Sequence, residues 1–343
     1  MKLKILITGG CGFIGSNLGI ALKKISKVYS LDNLTRKGSL LNEKRLIDHK
    51  IKNFRIDIKN DKLIKKLPKF DIIIDCCAEV AVESSKKNLD KVFNTNLVGT
   101  YNILKKVKDD KSKFIFLSTS RVYSIKKLFD LISGNNIYSK IKLKNKMFVD
   151  ENFSTNSPIT FYGYTKLSSE NLTKEFSNFY NIDYLINRMG VIAGPWQFGK
   201  QDQGFITFWV WRHLNKLKLN YIGYGGRGFQ VRDVLHIDDL VDLILLQIKN
   251  LKKIKNETFN VGGGYKNAIN LSDLTTACYK ITKNKIQIGS KKNTSPYDVP
   301  IYVTNYQKVK KFYNWKPKRN LETIINDVGK WLNSNKLKIR KYM

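Results

Sequence analysis

The run Thr8-Gly9-Gly10-Cys11-Gly12-Phe13-Ile14-Gly15, directly after the apolar stretch 2–7, constrains this chain more than any other feature. Gly9, Gly12 and Gly15 match G-x-x-G-x-x-G between a strand and a helix. The first glycine permits the tight turn, the second lets backbone approach a pyrophosphate, and the third lets helix and sheet pack closely. A helix opening there, over 13–22, offers unpaired N–H groups and a favourable dipole to phosphates. Asp32 closes a second apolar run, 28–31, seventeen residues beyond Gly15. A carboxylate there accepts hydrogen bonds from both ribose hydroxyls and repels a 2′-phosphate, so NAD is expected over NADP. Arg36 lies close enough to favour a phosphate instead. Asp57, after a third run at 54–56, is placed either to meet adenine or to cap a helix.

Further apolar runs at 72–77, 114–118 and 184–187 alternate with helical spacing such as Leu97, Tyr101 and Leu104. Continuous apolar strands between helices predict an α/β fold, a Rossmann-type doubly wound parallel sheet covered on both faces. After Gly194 the pattern becomes irregular, with glycine-rich stretches at 223–228 and 262–264. The expected division is a dinucleotide-binding domain over 1–190, carrying the reactive residues. A smaller, mainly C-terminal substrate domain takes up most of 191–343, with some segments returning to the first.

The 62 Lys and Arg against 28 Asp and Glu give a formal charge of +34. That balance suits an anionic small substrate, or steering toward one, as well as it suits nucleic acid. No zinc-finger spacing, helix-turn-helix or RNA-binding aromatic signature accompanies it, so nucleic acid is not the expected partner. Cys11, Cys76, Cys77 and Cys278 form no CxxC, and His49, His213 and His236 are dispersed, so no metal is expected. Buried thiols, a chain opening on a strand without a secretory segment, and no run of roughly 20 apolar residues predict a cytoplasmic protein without a membrane span.

Tyr162 and Lys166 stand four apart, which puts both on one face of a helix starting near Tyr162. A nearby ammonium favours the phenolate of a tyrosine whose free pKa is ~10, making it a usable base. Ser118, Thr119 and Ser120 end the fifth strand, where the crevice of such sheets lies, and spacing alone lets any of the three bond a substrate oxygen. Tyr164, two residues from Tyr162, points elsewhere and is a packing or substrate residue.

These residues carry a resemblance. The chain resembles the extended short-chain dehydrogenase/reductase family over about residues 2–331, through I-T-G-G-C-G-F-I-G-S-N at 7–17, D-N-L-T-R-K-G at 32–38, E-V-A at 79–81, T-S-R-V-Y at 119–123, Y-G-Y-T-K at 162–166, D-Q-G-F at 202–205 and Q-V-R-D-V-L-H at 230–236. The last two point to the branch of 2-epimerases acting on CDP-paratose and CDP-tyvelose. The resemblance implies retained NAD, a catalytic set of Thr119, Tyr162 and Lys166, a diphosphate-binding Arg232, and a homo-dimer or homo-tetramer. Arg232 also suits a diphosphate by its fixed fork of donors, against the alternative of a salt bridge with Asp233. Expected cofactor contacts are Gly9, Gly12, Phe13, Ile14, Gly15, Asp32, Asn33, Arg36, Asp57, Ile58, Cys77, Ala78, Asn96, Tyr162 and Lys166. Expected contacts to a CDP-linked sugar are Glu79, Thr119, Asp202, Gln203 and Arg232, with Asp202 and Gln203 alternatively capping a helix from Phe205.

The expected reaction is transient oxidation at sugar C2: Tyr162 takes the hydroxyl proton, and hydride passes to NAD and returns to the opposite face. The alternative is C4 oxidation of the UDP-glucose type. A 4,6-dehydratase fits less well, because Thr119-Ser120-Arg121 stands where that branch carries T-D-E. A non-catalytic NAD- or nucleic-acid-binding protein is the reading from a different class. Two departures from the pattern stand out. Glu79 replaces a glutamine, and Ser295-Pro296-Tyr297-Asp298-Val299 lacks a second phosphate-binding arginine, for which Lys291 or Lys292 is the candidate substitute.

Overall fold

A computed structural model describes residues 2–80, 88–132, 141, 143–144, 147–200 and 203–343. Its strands, in chain order, are β1 (Lys4–Thr8), β2 (Lys27–Leu31), β3 (Lys52–Phe54), β4 (Ile72–Asp75), β5 (Lys113–Thr119), β6 (Phe148–Val149), β7 (Tyr184–Met189), β8 (Val191–Ala193), β9 (Leu219–Ile222), β10 (Val231–His236), β11 (Glu257–Val261), β12 (Ala268–Asn270), β13 (Ile288–Lys291) and β14 (Ile301–Thr304). The chain folds as two compact units. One comprises Met1–Thr119, Phe161–Arg188 and Val241–Phe259; the other comprises Ser120–Thr160, Met189–Leu240 and Asn260–Met343.

The first unit is built on a seven-stranded sheet in the order β11-β7-β5-β4-β1-β2-β3. β1 pairs in parallel with β2 and β4, β2 with β3, and β4 with β5. The fold is the doubly wound Rossmann type that continuous apolar strands demand. Helix-covered strands lose water on both faces, and Ile5, Leu6, Ile73 and Ile74 are wholly buried. Leu6, Ile73, Phe114 and Phe116 pack with Ile103, Leu104 and Val107 of the helix Gly99–Asp110. Strand order reverses between β1 and β4, which opens a crevice at their carboxyl ends, the ligand site of such sheets. There Thr8 Oγ1 donates to Asp75 Oδ1 at 2.5 Å, tying the two strand ends together.

Two strands end earlier than their apolar runs. β4 stops at Asp75 because its carboxylate accepts the N–H of Cys77 at 3.1 Å and turns the chain. β3 covers 52–54 rather than 54–56. Asn53 is held by Ser30 Oγ and Glu43, and the N–H of Ile56 folds back onto the carbonyl of Phe54.

The second unit holds a five-stranded sheet. β12, β10, β14 and β6 lie in that order, and β8 also pairs with β10. β9 and β13 form a separate parallel pair. The helices Phe205–Leu214, Leu271–Thr282 and Leu321–Ser334 pack on one another, burying Trp209, Leu274 and Leu332. No helix among the described residues is long and apolar enough to cross a membrane.

Candidate active site

The glycine turn occupies the switch point. Gly9 has φ +60°, and a Cβ there would stand 2.9 Å from the Cα of Cys77. The turn therefore lies directly against the segment leaving β4. A Cβ on Gly15 would come within 2.4 Å of the Gly9 carbonyl, so the helix Phe13–Leu22 docks on the turn with no room for a methyl group. The N-cap of that helix is Gly12, which has no side chain to cap the first-turn N–H groups. This backbone cradle fits a dinucleotide pyrophosphate. Asp32 directly follows the adjacent strand β2, with Oδ2 accepting the Cys11 N–H at 3.1 Å and Oδ1 the Leu34 N–H at 2.8 Å. Burial pushes its carboxyl up from the usual range, and these two N–H donors oppose the shift. Asn33 Nδ2 donates to Asp57 Oδ2 at 3.0 Å, and Asp57 also takes the Lys59 N–H. Asp57 caps no helix: the N-cap of Asp61–Lys65 is Asn60.

Of the expected cofactor contacts in this unit, Gly9, Gly12, Phe13, Ile14, Asp32, Asn33, Arg36, Asp57, Cys77 and Ala78 all retain solvent access, whereas Gly15, Ile58, Asn96, Tyr162 and Lys166 are buried. Ile58 belongs to the core. Asn96 Oδ1 accepts the Glu79 N–H at 2.8 Å. Its Nδ2 donates to the Glu79 carbonyl and to Thr165 Oγ1, both at 3.1 Å. Asn96 therefore ties down the segment after β4. It lies in a π-helical turn, Asn94–Val98, a local irregularity that spacing does not reveal.

Tyr162 and Lys166 lie on the buried face of the helix Phe161–Tyr180, at 8% and 1% exposure, while Tyr164 is 52% exposed. Lys166 Nζ stands 3.8 Å from the ring centroid of Phe116, close enough for a cation–π contact. Phe116 lies beside Asp75 in the β4–β5 register. Burial pulls the Lys166 ammonium below the usual lysine range, and the Asp75 carboxylate is the chief opposing influence. Asp75 is fully buried and also takes the Thr100 hydroxyl at 3.0 Å. Sequence reasoning passed over it, although a lone carboxylate ending the run Ile72-Ile73-Ile74 is a visible signal.

The three hydroxyls at 118–120 now separate. Ser118 Oγ donates to Glu170 Oε1 at 2.5 Å, and Glu170 is held by Arg188 with Nη2 to Oε2 at 2.7 Å. Ser118 is thus committed to a buried ion pair beneath the strand. Thr119 ends β5 at 9% exposure in the same unit as Tyr162 and Lys166, and Ser120 starts the short turn Ser120–Val122 of the other unit. Glu79 brings no uncompensated charge, because Lys91 Nζ lies 2.8 Å from its Oε2.

In the second unit, Arg232 on β10 pairs with Asp298 rather than with its neighbour Asp233. Its Nη2 donates to Asp298 Oδ1 at 3.1 Å and to the Val299 carbonyl at 2.7 Å, and Nη1 donates to the Val231 carbonyl at 2.8 Å. Asp233 points the other way along the strand and accepts the Gly264 N–H at 2.9 Å. Burial pushes its carboxyl up to about 6. Arg232 lines a cavity with Ser120, Arg121, Thr160 and Tyr302. Lys291 and Lys292, expected as stand-ins for an absent arginine, are exposed and do not line it. Gln203 forms a two-way backbone bridge with Lys200, and the cap of the helix Phe205–Leu214 is Gly204, at φ +72°. Asp202 and Ala81 lie outside the described residues. His236 Nδ1 accepts the Asp238 N–H at 3.0 Å, so this side chain orients the start of the helix Ile237–Lys249. Among the described residues no group of three or more His, Cys, Asp or Glu side chains could hold a metal.

A family model described as the NAD dependent epimerase/dehydratase family matches residues 5–262. The sequence is similar to CDP-paratose 2-epimerase of Salmonella typhi, 28% identical over 97% of this chain and 100% of that protein. It is comparably similar to a putative UDP-glucose 4-epimerase of Methanocaldococcus jannaschii, 29% identical over 96% of this chain and 99% of the other. The structure resembles a UDP-glucose 4-epimerase of Thermotoga maritima crystallised with UDP-glucose, with a TM-score of 0.80, 25% identity, and coverage of 97% of this chain and 99% of that one.

Proposed function

The chain belongs to the NAD dependent epimerase/dehydratase family, and from that footing we propose that it is a nucleoside-diphosphate-sugar 4-epimerase of the UDP-hexose type. It is an enzyme, its cofactor is NAD, and its substrates are sugar nucleotides. The observation that carries the catalytic reading is the pairing of Tyr162 with a wholly buried Lys166 on one helix face, in the unit that holds the glycine cradle. Bound NAD supplies reversible oxidation of a sugar carbinol.

The residues of the chain do the rest. Gly9, Gly12 and the helix start receive the pyrophosphate, and Asp32 receives the adenosine ribose. Thr119 donates a hydrogen bond to the reacting sugar oxygen. Tyr162, as phenolate, takes the proton from that oxygen and returns it once the sugar has presented its other face. Lys166 favours the phenolate by its charge. Arg232 receives the diphosphate from β10, exchanging part of its present bonding to Asp298. Thr119-Ser120-Arg121 provides no carboxylate beside the sugar, which supports epimerisation over dehydration.

The C4 reading is preferred because two of the three proteins compared above are 4-epimerases by name. The C2 reading, on CDP-paratose, draws on the D-Q-G-F and Q-V-R-D-V-L-H segments and on full-length similarity to the Salmonella enzyme. Incubation with UDP-glucose, UDP-glucuronate and CDP-paratose, followed by NMR of the sugar ring, separates them. Inversion at C4 without NADH accumulation is expected, and Tyr162→Phe should reduce turnover at least ~1000-fold while NAD still binds. Inversion confined to C2 would replace the C4 reading, and a stable 4-keto-6-deoxy product would overturn epimerisation.

Self-association belongs to the same proposal. The helices Gly99–Asp110 and Phe161–Tyr180 expose Tyr101, Tyr164, Phe179 and Tyr180, apolar surface suited to a second copy. Light scattering of the purified protein should give a dimer or tetramer mass.

A further inference from the structure

We propose that Glu43 helps decide NAD over NADP by holding the guanidinium of Arg55 away from Asp32, so that a 2′-phosphate finds no cation there. The inference rests on the reading above in which Asp32 receives the adenosine ribose, and it names two further residues that make that position selective.

Three observations carry it. First, Arg55 leaves β3 beside Asp32. Ser30 stands opposite Asn53 and Leu31 opposite Phe54, and the Asp32 N–H donates to the Phe54 carbonyl at 3.1 Å. Continuing that register sets Arg55 opposite Asp32, across a strand spacing of ~4.8 Å that an arginine side chain spans. Second, the guanidinium is turned to Glu43 instead. Its Nε donates to Oε1 at 2.8 Å and its Nη2 to Oε2 at 2.7 Å, the same paired donors that a phosphate would take. The Glu43 side chain is 6% exposed and that of Arg55 66%, so the anion is fixed and the cation lies at the surface. The bonds from Arg55 hold the Glu43 carboxyl below its usual range, which keeps it charged. Third, Glu43 is built into the cradle. Its Oε1 also accepts Asn53 Nδ2 at 3.0 Å, and Asn53 Oδ1 accepts the Ser30 hydroxyl at 2.7 Å. The preceding residue of the same helix, Asn42, donates to the Cys11 carbonyl at 3.0 Å, inside the glycine turn. The helix Ser39–Asp48 is thereby fixed against the turn, and Glu43 with it. With Arg55 so held, Asp32 repels a 2′-phosphate unopposed by that guanidinium. Once released, Arg55 would stand beside Asp32 and could pair with the phosphate.

The test uses the full chain and two probes, NAD and NADP, with dissociation constants from calorimetry and folding from circular dichroism. The quantity read is the ratio of the NADP constant to the NAD constant. Glu43→Gln should lower that ratio at least ~10-fold through tighter NADP binding, with NAD affinity kept within ~3-fold. Arg55→Gln alone should leave the ratio within ~3-fold of the parent chain, and adding it to Glu43→Gln should restore the parent ratio. Should Glu43→Gln not fold, Glu43→Asp keeps the charge but is too short to hold both guanidinium nitrogens, and it should lower the ratio at least ~3-fold. Arg36 is present in every variant, so its effect cancels. An unchanged ratio in the Glu43 variants sinks the proposal. So does a ratio that stays low in the double variant, which would mean that Glu43 acts by its own charge and not through Arg55. Failure of the ribose reading looks different: Asp32→Asn would then alter neither constant.

Discussion

Glu170, fully buried on the helix Phe161–Tyr180, tests how this unit fixes its reactive strand. Its carboxylate takes Arg188 Nε at 3.1 Å and Nη2 at 2.7 Å, together with the Ser118 hydroxyl at 2.5 Å. The Arg188 side chain is 7% exposed. Glu170→Met strands a buried cation, at a cost of about 3–5 kcal/mol, and leaves the Ser118 hydroxyl without this acceptor, at about 1 kcal/mol more. The single variant should therefore lose about 4–6 kcal/mol in urea unfolding followed by circular dichroism. Arg188→Met strands the carboxylate and should lose a similar amount. The double variant replaces the pair with apolar side chains of similar length, and its loss should be smaller than either single loss. Because Ser118 precedes Thr119, the single variants should also lower turnover even where they remain folded. A loss under about 1 kcal/mol for Glu170→Met, or additive losses in the double variant, would refute the claim that this ion pair is a desolvated unit bracing the end of β5.

Three further outcomes follow from the geometry. Burial lowers the Lys166 pKa, so its ammonium, and the bonds and charge it offers cofactor and phenol, should be lost as pH rises at values below the usual lysine pKa of ~10.4; an alkaline limb of kcat at or above that value would contradict this. Gly15→Ala puts a methyl group 2.4 Å from the Gly9 carbonyl, which should cost about 1–3 kcal/mol and weaken NAD binding at least ~10-fold by calorimetry, and unchanged affinity would mean that the turn yields. Asp233 has a folded pKa raised from 3.8 to about 6, so the folded state holds its proton more tightly. Its contribution to stability is complete at low pH and is lost as pH rises through 4 to 7, on the order of 3 kcal/mol. Asp233→Asn should flatten that fall in urea midpoints, and an unchanged slope would show that the buried carboxyl is not its source.

Much of the cofactor half was legible because its signals are local. A tight turn needs Gly9, a close helix needs Gly15, and a period of four sets Tyr162 over Lys166, whatever the remainder of the chain does. The helix Phe13–Leu22 begins and ends where the apolar spacing says it should, and the apolar run at 184 begins β7. The less legible features are contacts between residues far apart in sequence. Spacing could not rank Ser118, Thr119 and Ser120, since the choice turns on Glu170, 52 residues away. Nor could spacing show that the amide of Asn96 ties Glu79 to Thr165. For Arg232 the sequence offered Asp233, its neighbour, as the alternative to a diphosphate. Adjacent residues on a strand face opposite sides, so its carboxylate comes from Asp298.

The sequence by itself determined the sheet type, the glycine turn after β1 and the placing of Tyr162 and Lys166 on one helix face, because each depends on backbone geometry over a few residues. Only the tertiary structure decided which buried charges meet. It put Asp75 in register beside Phe116, over whose ring Lys166 stands, set Glu170 beneath Ser118, and turned Arg121 and Arg232 into one cavity. Removing a charge from water is costly enough that each must find its partner, and the chain's path through space, not its order, says which partner is within reach.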